Sequence, residues 1–357
     1  MKAAVLHADN EPMVIEELRE PDLGDHDVRV RVDASGVCHS DLSAIKGGLP
    51  SSKPCILGHE GAGTVLEVGK AVSRVKPGDK IISSFRPACG NCWFCLHDKS
   101  NLCQSHEAMT APRAFRPDGT TVFGMAGLGT FSEVMTIHEF QAVKVETDLP
   151  PEQLALIGCG VTTGVGAALN TARVEPGSSV AVIGCGGVGQ AVIQGARIAG
   201  AARIFAIDPV EMKRKMAETN GATDLIDPAA GDPIQQVKDA TGGRGADFAF
   251  EVIGLPDTIL QAYNTARSGG TVTIVGMPRI EMTVTFSAFQ LFFEEKRTLG
   301  CLYGSSQNRR DFQRYIDLVE TGRLDVGSMV SRRIKLDEIN DAFRAMEAGE
   351  VIRSVIV

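Results

Sequence analysis

The first 170 residues show a pattern of hydrophobic and polar positions that favours β-structure. Apolar and polar residues alternate at Val28–Val32 (VRVRV) and Gly63–Gly69 (GTVLEVG), which is the period of strands with one buried face. Pro77–Asp79 (PGD) marks a turn in the same region. This part of the chain is therefore predicted to form an all-β body with loops.

From about Val174 the pattern changes to short apolar runs that alternate with segments of helical spacing. Six of these runs are predicted to be strands: 180–183, 203–207, 224–226, 246–252, 271–275 and 298–302. Strands and helices that alternate in this way form a doubly wound parallel sheet of the α/β class.

Past Gly304 the pattern predicts a helix, a strand, a helix and a final strand. These elements are placed at 309–320, near 332–335, at 338–347 and at 352–357, and we expect them to return to the β body. The predicted domains are therefore 1–160 with 304–357, and 161–303.

Length and charge exclude several classes of protein. At 357 residues the chain is longer than one core usually supports, which agrees with two domains. The formal net charge is −8 and no long basic run is present, so no nucleic-acid partner is expected. No apolar run approaches the ~18 residues of a membrane span, so no membrane segment is expected. The apolar stretch in MKAAVLHADN is too short for a signal-peptide core, and a cytoplasmic location is expected.

The stretch Val180–Gly189 (VAVIGCGGVG) is typical of a turn that cradles a dinucleotide. Gly184 permits the tight turn, Gly186 lets a pyrophosphate approach the backbone, and Gly189 lets the next helix pack on the strand. An ordinary glycine-rich loop is the alternative. Asp208 argues against it, because a carboxylate after the second strand holds both hydroxyls of an adenosine ribose and repels a 2′-phosphate. The sequence therefore favours NAD over NADP.

Four of the nine cysteines form the motif C-x2-C-x2-C-x7-C, at Cys89, Cys92, Cys95 and Cys103. Four thiolates at this spacing can surround a tetrahedral ion completely, which predicts a structural zinc site with no open position. A set of small buried thiols and an iron–sulfur cluster are the alternatives. The iron–sulfur alternative is less favoured because the dinucleotide turn indicates hydride transfer.

A second metal site is predicted from three glycine-flanked turns. They carry Cys38 (GVCHSD), His59 with Glu60 (GHEGAG) and Cys159 (GCGVTTG). One imidazole and two thiolates leave a fourth tetrahedral position for water or substrate, which is the arrangement of a zinc Lewis acid. A core thiol or a satisfied turn histidine is the alternative for each residue taken singly.

With these motifs, the chain resembles the zinc-dependent medium-chain alcohol dehydrogenases of the medium-chain dehydrogenase/reductase superfamily. The resemblance spans essentially the full length and rests on GHE, the four-cysteine lobe, GCGVTTG, GCGGVG with Asp208, and the carboxy-terminal IRS. It implies a six-stranded Rossmann sheet that binds NAD and a mainly β GroES-like catalytic domain with one catalytic and one structural zinc ion. It also implies hydride transfer between the cofactor and a small-molecule alcohol or aldehyde.

The resemblance further implies roles for single residues around the catalytic zinc, whose ligands match Cys38, His59 and Cys159. Glu60 matches an acidic neighbour behind the metal, and Asp41 matches a carboxylate that orients the His59 ring. Ser40 matches the hydroxyl that takes the alcohol proton. Several relatives pass that proton to a histidine at the position of Ser43, so here His39 or solvent is the expected outlet.

The residues that match dinucleotide contacts fall in several segments. They are His39 and Arg353 near the pyrophosphate, Lys213 near the adenosine ribose, Thr163 and Val188 near the nicotinamide, and Val275 near its carboxamide. A solvated charge is the alternative for Lys213, because Arg214 and Lys215 flank it.

Four apolar residues match the wall of a substrate channel: Leu49, Phe85, Leu128 and Met277. Such a channel suits a medium-chain or aromatic primary alcohol or its aldehyde, and plain core residues are the alternative. Glutathione-dependent formaldehyde dehydrogenases carry an acidic residue at the position of Leu49. Oxidation of an S-hydroxymethyl thiol adduct is therefore the less favoured alternative activity.

Two other classes of protein are considered. A non-enzymatic zinc protein would use the four-cysteine lobe to bind a partner or nucleic acid, and the acidic charge and the second metal site argue against it. A metal-free quinone reductase of the superfamily would lack the Cys38, His59 and Cys159 set. In the zinc-dependent family, the last strand of the cofactor domain, here 298–302, pairs across a two-fold axis. A homodimer is therefore expected, with a homotetramer as the alternative.

Overall fold

The computed structural model describes residues 1–357, and residue contacts divide them into two compact units. The first unit contains Met1–Gly160, Gln307–Gly322 and Val326–Val357, and the second contains Val161–Ser306 and Arg323–Asp325. Each unit has its own sheets and its own buried apolar clusters.

The amino-terminal part of the first unit is mainly β. Its strands are β1 (Lys2–Leu6), β2 (Val14–Glu17), β3 (Asp27–Gly36), β4 (Cys55–Ile56), β5 (Glu60–Val68), β6 (Lys80–Ser83), β7 (Ala114–Phe115), β8 (Thr121–Gly124), β9 (Val134–His138) and β10 (Ala142–Lys144). One sheet has the order β2-β1-β4-β8-β7, and a second contains β10-β6-β5-β3 with β9 paired to β3. In β3, Val28 and Val30 are buried while Arg31 is exposed, which explains the alternating pattern.

Short helices interrupt this β body where the pattern predicts only loops. They are α1 (His39–Ile45), α2 (Trp93–Leu96) and α3 (Pro151–Leu156), with 3₁₀ turns at Ser100–Leu102, His106–Met109 and Met125–Gly127. Helix α1 begins after Cys38, and Asp41 in its first turn accepts the Cys38 N–H, which is half of a capping box. The expectation of an all-β body is therefore corrected, because these helices are too short to show a helical period.

The second unit alternates strands and helices along the chain. Its elements are α4 (Thr162–Gly166), β11 (Ser179–Ile183), α5 (Gly187–Ile198), β12 (Arg203–Ile207), α6 (Glu211–Asn220), β13 (Asp224–Ile226), α7 (Pro233–Ala240), β14 (Ala246–Glu251), α8 (Pro256–Thr265), β15 (Ala266–Ile274), α9 (Ala288–Glu294) and β16 (Arg297–Gly300). The six strands are parallel, in the order β13-β12-β11-β14-β15-β16. The order reverses between β11 and β14, where such sheets bind ligands at the carboxyl ends of the strands.

All six predicted strands are present, and the prediction of a doubly wound parallel sheet is confirmed. Two strand ends differ by two residues or more, and the others agree to within one residue. Strand β15 starts at Ala266, earlier than predicted, and β16 ends at Gly300. Just beyond β16, Tyr303, Gly304 and Ser305 all have left-handed backbone angles, with φ of 58°, 63° and 47°. Consecutive residues in that region cannot continue a strand.

The last segment of the chain supplies four elements in the predicted order. They are α10 (Asn308–Glu320), β17 (Val330–Ile334), α11 (Ile339–Glu347) and β18 (Arg353–Ile356). Strand β18 pairs antiparallel with β3, and β17 pairs parallel with β18, so the carboxy-terminal strands extend the second sheet of the first unit.

A helical segment at Pro151–Ala172 corrects the expectation that no run could span a membrane. A π-helical turn at Ile157–Val161 joins α3 to α4, and a second one at Ala167–Ala172 follows α4. With 22 residues the segment is long and apolar enough to cross a bilayer, but 78% of its most apolar stretch is buried inside the protein. It is therefore a core helix. The glycines and threonines of GCGVTTG give this sequence the composition of a turn, which hides the helix.

Candidate functional site

Two glycine-flanked turns and one helical segment bring four potential metal ligands together in the first unit. Cys38 lies between β3 and α1, His59 and Glu60 lie at the start of β5, and Cys159 lies in the π-helical turn Ile157–Val161. The ligand atoms of these residues all lie within 4.8 Å of one another, and all four residues are buried. The structure therefore assembles the predicted set of one imidazole and two thiols, with a carboxylate beside it.

Asp41 holds two of these turns in place. One carboxylate oxygen accepts the Cys38 N–H at 3.0 Å. The other lies 3.0 Å from the Gly58 nitrogen, which donates to it, and 3.1 Å from Nδ1 of His59. A carboxylate at Nδ1 fixes the tautomer that leaves Nε2 of His59 as the ligand atom. Asp41 is fully buried, so these contacts are shielded from solvent.

The charges of this group depend on its burial and its internal hydrogen bonds. A hydrogen bond from the Cys159 thiol holds the pKa of Cys38 well below its usual range, although burial opposes the shift. The same hydrogen bond, together with burial, raises the pKa of Cys159. Burial lowers the pKa of His59, but the charges and hydrogen bonds of Asp41 and Cys38 together outweigh it and raise that pKa. A thiolate is thus favoured at Cys38, which is the form that binds a metal ion.

A carboxylate oxygen of Glu60 is the atom best suited to serve as a further metal ligand. Arg353 donates a hydrogen bond to Oε2 of Glu60, and both side chains are buried. The other oxygen, Oε1, is buried without any hydrogen-bond partner. Burial raises the pKa of Glu60 to about 7, although the Arg353 charge lowers it. A buried, unpartnered carboxylate oxygen next to two thiols and an imidazole matches the donor set of a zinc ion.

Arg353 is the first residue of β18. Its side chain forms this ion pair, and the residue is only 3% exposed. Its predicted contact with a pyrophosphate stays a prediction, because the described contact is with Glu60. A larger residue beside the pair would displace it, since a Cβ at Gly160 would lie 2.4 Å from a guanidinium nitrogen of Arg353. The 293 residues between Glu60 and Arg353 explain why the pattern along the chain gives no sign of this ion pair.

The four cysteines of the C-x2-C-x2-C-x7-C motif form a second compact group. Their sulfur atoms all lie within 4.8 Å of one another, with separations of 3.8 Å between Cys89 and Cys95 and 3.9 Å between Cys92 and Cys103. Four zinc–sulfur bonds of ~2.3 Å in a tetrahedron place the sulfurs about 3.8 Å apart. The geometry therefore fits a closed tetrahedral zinc site.

Backbone N–H groups also point at these sulfurs. Cys89 Sγ accepts from the nitrogens of Asn91 and Cys92 at 3.5 and 3.3 Å, and Cys103 Sγ accepts from the Cys89 nitrogen at 3.5 Å. Burial opposes ionisation of Cys89, but these and other hydrogen bonds outweigh it and lower the pKa of Cys89 to about 6. A thiolate is thus favoured at Cys89, whereas burial raises the pKa of Cys95 to about 12.

The glycine turn in the second unit has the three features expected of it. Gly184 has a φ of +94°, which favours glycine. A Cβ at Gly189 would lie 2.0 Å from the Gly184 carbonyl oxygen, so helix α5 packs closely against the turn. A Cβ at Gly186 would meet nothing within 4 Å, so the space beside that residue is open. This is the shape of a turn that admits a pyrophosphate at a helix N-terminus.

Asp208 lies at the carboxyl end of β12 and is fixed by the backbone. Its two carboxylate oxygens accept the N–H groups of Cys185 and Val210, both at 2.8 Å, and the residue is 5% exposed. The Cys185 contact ties Asp208 directly to the glycine turn. Of the three basic residues that follow, Arg214 pairs with Asp227 and Lys215 pairs with Glu211, whereas Lys213 forms no ion pair.

One residue that supports this turn has no counterpart among the predicted site residues. Gln190 is fully buried in α5, and its Nε2 donates to the carbonyl oxygens of Cys185 and Lys213 at 2.8 and 2.9 Å. Its Oε1 accepts from the amide of Asn220 at 2.8 Å. Gln190 therefore joins the glycine turn to α6. In the sequence, Gln190 lies on the helix face that carries small and apolar residues. A polar side chain buried there needs hydrogen-bond partners, and this is the sign that could have indicated its role.

The remaining predicted residues are located as follows. His39 and Ser40 lie in the first turn of α1, with His39 exposed and Ser40 half-buried. In the second unit, Thr163 in α4, Val188 in α5 and Val275 just after β15 are all half-buried. Their contacts with a dinucleotide stay predictions.

The four predicted channel residues differ in their surroundings. Phe85 is half-buried and lies edge-on to the His59 ring, with 5.8 Å between ring centres, which places an apolar side chain at the metal group. Leu49 is half-buried against the apolar cluster of the first unit, and Met277 of the second unit is exposed. Leu128, at 1% exposure, packs in a core cluster with Val28, which favours the alternative of a plain core residue, and its place in a channel stays a prediction.

Two protein families match the sequence. Residues 24–147 match the family described as "Alcohol dehydrogenase GroES-like domain", and residues 187–321 match the family described as "Zinc-binding dehydrogenase". The chain is also 38% identical over 366 residues to an alcohol dehydrogenase class-3 from Myxine glutinosa, covering 99% of this chain and 97% of that protein.

Solved structures share the fold over the whole chain. The benzyl alcohol dehydrogenase from Acinetobacter calcoaceticus has a TM-score of 0.92 and 29% identity, covering 99% of this chain and 98% of that one. A protein described as a zinc-binding dehydrogenase from Sinorhizobium meliloti 1021, solved with NADP bound, has a TM-score of 0.83 and 30% identity, covering 100% and 98%.

The parallel sheet with its glycine turn, the β-rich unit and the two ligand groups define a zinc-binding dehydrogenase. The chain belongs to the zinc-dependent medium-chain alcohol dehydrogenase family, which confirms the predicted family and the predicted fold of a Rossmann sheet with a GroES-like domain. It is therefore an oxidoreductase, and the non-enzymatic zinc protein is set aside.

Proposed function

We propose that the chain is an NAD-dependent alcohol dehydrogenase that interconverts a primary alcohol and its aldehyde. The observation that carries the proposal is the buried group of Cys38, His59 and Cys159, whose ligand atoms lie within 4.8 Å of one another beside an unpartnered carboxylate oxygen. These residues would hold one zinc ion, and the four-cysteine group would hold another. A zinc ion with an open position supplies Lewis acidity that polarises an alcohol or aldehyde oxygen.

The chain's own residues then orient the reaction and handle the proton. Asp41 keeps the His59 ring in place through Nδ1, and the fixed turn at Cys38 begins the helix that carries Ser40. The Ser40 hydroxyl can relay the alcohol proton: it accepts that proton while it passes its own hydroxyl proton to the exposed His39 or to solvent, and the reverse reaction runs the same transfers backwards. Phe85, packed edge-on against His59, keeps water away from this side of the group.

Ser40→Ala should lower turnover on the order of a hundredfold, because the hydroxyl that accepts the proton is lost. Ser43→Ala is the matched control: Ser43 is also half-buried in α1, and its loss should change turnover only a few-fold. Both variants are assayed by the absorbance of reduced nicotinamide under saturating alcohol. Equal losses in the two variants would contradict the proposed role of Ser40.

The preference for NAD rests on Asp208. Its carboxylate is fixed at the end of β12 by two backbone hydrogen bonds and is tied to the glycine turn through Cys185. A negative charge there accepts hydrogen bonds from ribose hydroxyls and repels a 2′-phosphate. Lys213, which forms no ion pair, is free to contact the ribose. The similar structure from Sinorhizobium meliloti 1021 contains NADP, so the activity of this chain has to be measured with both NAD and NADP.

The substrate is proposed to be an aromatic or medium-chain primary alcohol. Phe85 and Leu49 provide apolar, half-buried side chains in the catalytic unit, and the likeness to a benzyl alcohol dehydrogenase supports an aromatic substrate. Leu49 lacks the charge that would hold a glutathione adduct, so S-hydroxymethylglutathione is included in the test as the competing substrate.

The proposal is tested with purified full-length protein. Zinc is measured by atomic absorption, and reduction of NAD or NADP is followed with benzyl alcohol, 1-hexanol, a secondary alcohol and S-hydroxymethylglutathione. We expect two zinc ions per chain, higher kcat/KM with NAD, and preference for the primary alcohols. One zinc ion per chain would overturn the proposal of two zinc sites. Preference for NADP would overturn the role of Asp208, and exclusive use of the thiol adduct would overturn the proposed substrate.

We also propose that the protein is a homodimer joined through strand β16. This strand is one edge of the six-stranded sheet, and helix α9 directly before it exposes three large aromatic side chains: Phe289, Phe292 and Phe293. An open edge next to an exposed apolar surface is typical of an interface between identical subunits.

Sedimentation should give a particle of twice the chain mass. Phe292→Glu should lower that mass towards the monomer, while Leu96→Glu, an exposed control in the other unit, should leave it unchanged. A monomer, or a tetramer unaffected by Phe292→Glu, would contradict this interface.

A further inference from the structure

We propose that Asp227 is a second determinant of cofactor choice, which acts by withholding Arg214 from a 2′-phosphate. This inference rests on the proposed use of NAD. It concerns residues on α6 and directly after β13, outside the glycine turn and Asp208. The partner of Arg214, and not only the charge of Asp208, would then decide between the two dinucleotides.

Arg214 lies directly beside the position that faces the ribose. Its Nη1 donates to the backbone carbonyl oxygen of Asp208 at 2.5 Å, and its side chain is 13% exposed. A guanidinium bonded to the backbone of the ribose-binding residue is placed as the arginine that accommodates a 2′-phosphate in NADP-dependent sheets of this kind. The chain therefore carries a cation suited to NADP next to an anion suited to NAD.

The cation is bound by Asp227. Nη2 of Arg214 donates to Oδ2 of Asp227 at 2.9 Å, while Oδ1 of Asp227 accepts the Ala229 N–H at 2.9 Å. Asp227 follows β13, which pairs with β12 through Ile226 and Ile207, so its carboxylate is anchored one strand away from Asp208. The guanidinium is thus neutralised and directed towards β13, away from incoming phosphate.

The two basic neighbours of Arg214 make the arrangement specific. Lys215 pairs with Glu211 at 2.7 Å one turn away on α6, where both side chains are exposed. Lys213 forms no ion pair. Arg214 is therefore the only one of the three that is held in a partly buried ion pair and contacts the Asp208 backbone. Release of Arg214 would add a cation at the 2′ position, whereas release of Lys215 would not.

The experiment compares binding of NAD and NADP to the full-length protein by fluorescence titration. The background is Asp208→Ser, which removes the repulsion of a 2′-phosphate. Asp227→Ser is then added, because serine keeps a capping oxygen for Ala229 but is too short to reach Arg214. One new charge-assisted hydrogen bond should increase the ratio of NADP to NAD affinity by about tenfold over Asp208→Ser alone. Adding Arg214→Leu to this double variant should abolish the gain.

The matched control is Asp208→Ser with Asp224→Ser. Asp224 also pairs with an arginine across β12 and β13, since Arg203 contacts it at 2.7 Å, but at the amino ends of the strands. The Asp224→Ser change should leave the ratio of NADP to NAD affinity the same as in Asp208→Ser alone. If Asp227→Ser lowers thermal stability, Asp227→Asn replaces it, because asparagine keeps the cap and removes the charge.

The outcomes separate this inference from the proposed function. If the original protein binds NAD and the Asp227 variants add no NADP affinity, the role of Asp227 is wrong and the proposed function stands. A gain that persists with Arg214→Leu, or that Asp224→Ser reproduces, also overturns it. If the original protein binds neither dinucleotide, the proposed function itself fails. Binding is measured without substrate, so the identity of the alcohol does not affect the result.

Discussion

Replacing Cys159 with alanine is expected to remove one of two zinc ions per chain and to lower turnover by about a thousandfold or more. Cys159 is one of three nitrogen or sulfur donors in the catalytic group, and two such donors hold zinc poorly. The Lewis acidity of the metal is worth several kcal/mol, which corresponds to about three factors of ten in rate. Atomic absorption measures the zinc, and the absorbance of reduced nicotinamide measures turnover.

The matched control for this change is Cys55→Ala. Cys55 is also a buried thiol of the first unit, with 1% exposure, but it belongs to neither ligand group. Its replacement should leave both zinc ions in place and change turnover only a few-fold. If Cys159→Ala retained two zinc ions per chain and full turnover, the assignment of the catalytic metal would be wrong.

Gly189→Ala is expected to destabilise the second unit and to weaken dinucleotide binding by at least about tenfold. A Cβ at this position would lie 2.0 Å from the Gly184 carbonyl oxygen, so helix α5 would have to move away from the turn. Overpacking of this kind costs about 1–3 kcal/mol in the free energy of unfolding. Thermal unfolding without ligand measures the first effect, and fluorescence titration with NAD measures the second.

Gly186→Ala separates stability from binding at the same turn. Its Cβ would meet nothing within 4 Å, and its φ of −70° suits any residue. The fold should therefore keep its stability, while the added methyl group obstructs the approach of a pyrophosphate and weakens NAD binding. Equal destabilisation by the two alanines, or undiminished NAD binding in both, would contradict the assignment of this turn.

The fold of the second unit could be predicted because its strands are continuous apolar runs, as in Val180–Ile183. Strands buried on both faces leave such runs, and the helices between them keep a separate period. The helical segment Pro151–Ala172 was hidden for the opposite reason. Its glycines and threonines are typical of turns, and only tertiary burial stabilises the π-helical turn that carries Cys159.

In the candidate site too, features set by neighbouring residues could be predicted, and contacts between residues far apart in the chain could not. The positions of Cys38 and His59 follow from glycine-flanked turns, which the sequence displays. The pair of Glu60 with Arg353 joins residues 293 positions apart, and Gln190 acts through two backbone carbonyls. Such contacts depend on the assembled sheets, so patterns along the chain do not indicate them. The burial of Leu128 is of this kind as well.

The carboxylate of Asp41 has a consequence for how the chain selects a cation. Its hydrogen bonds set the spacing of Cys38 and His59 through the folded backbone, so the distance between these two donors is fixed by folding and not by the ion that enters. An ion whose bonds to sulfur and nitrogen are too long or too short must distort a buried network to bind. Selectivity for zinc at this position is thus a property of α1 and its first turn as much as of the donor atoms.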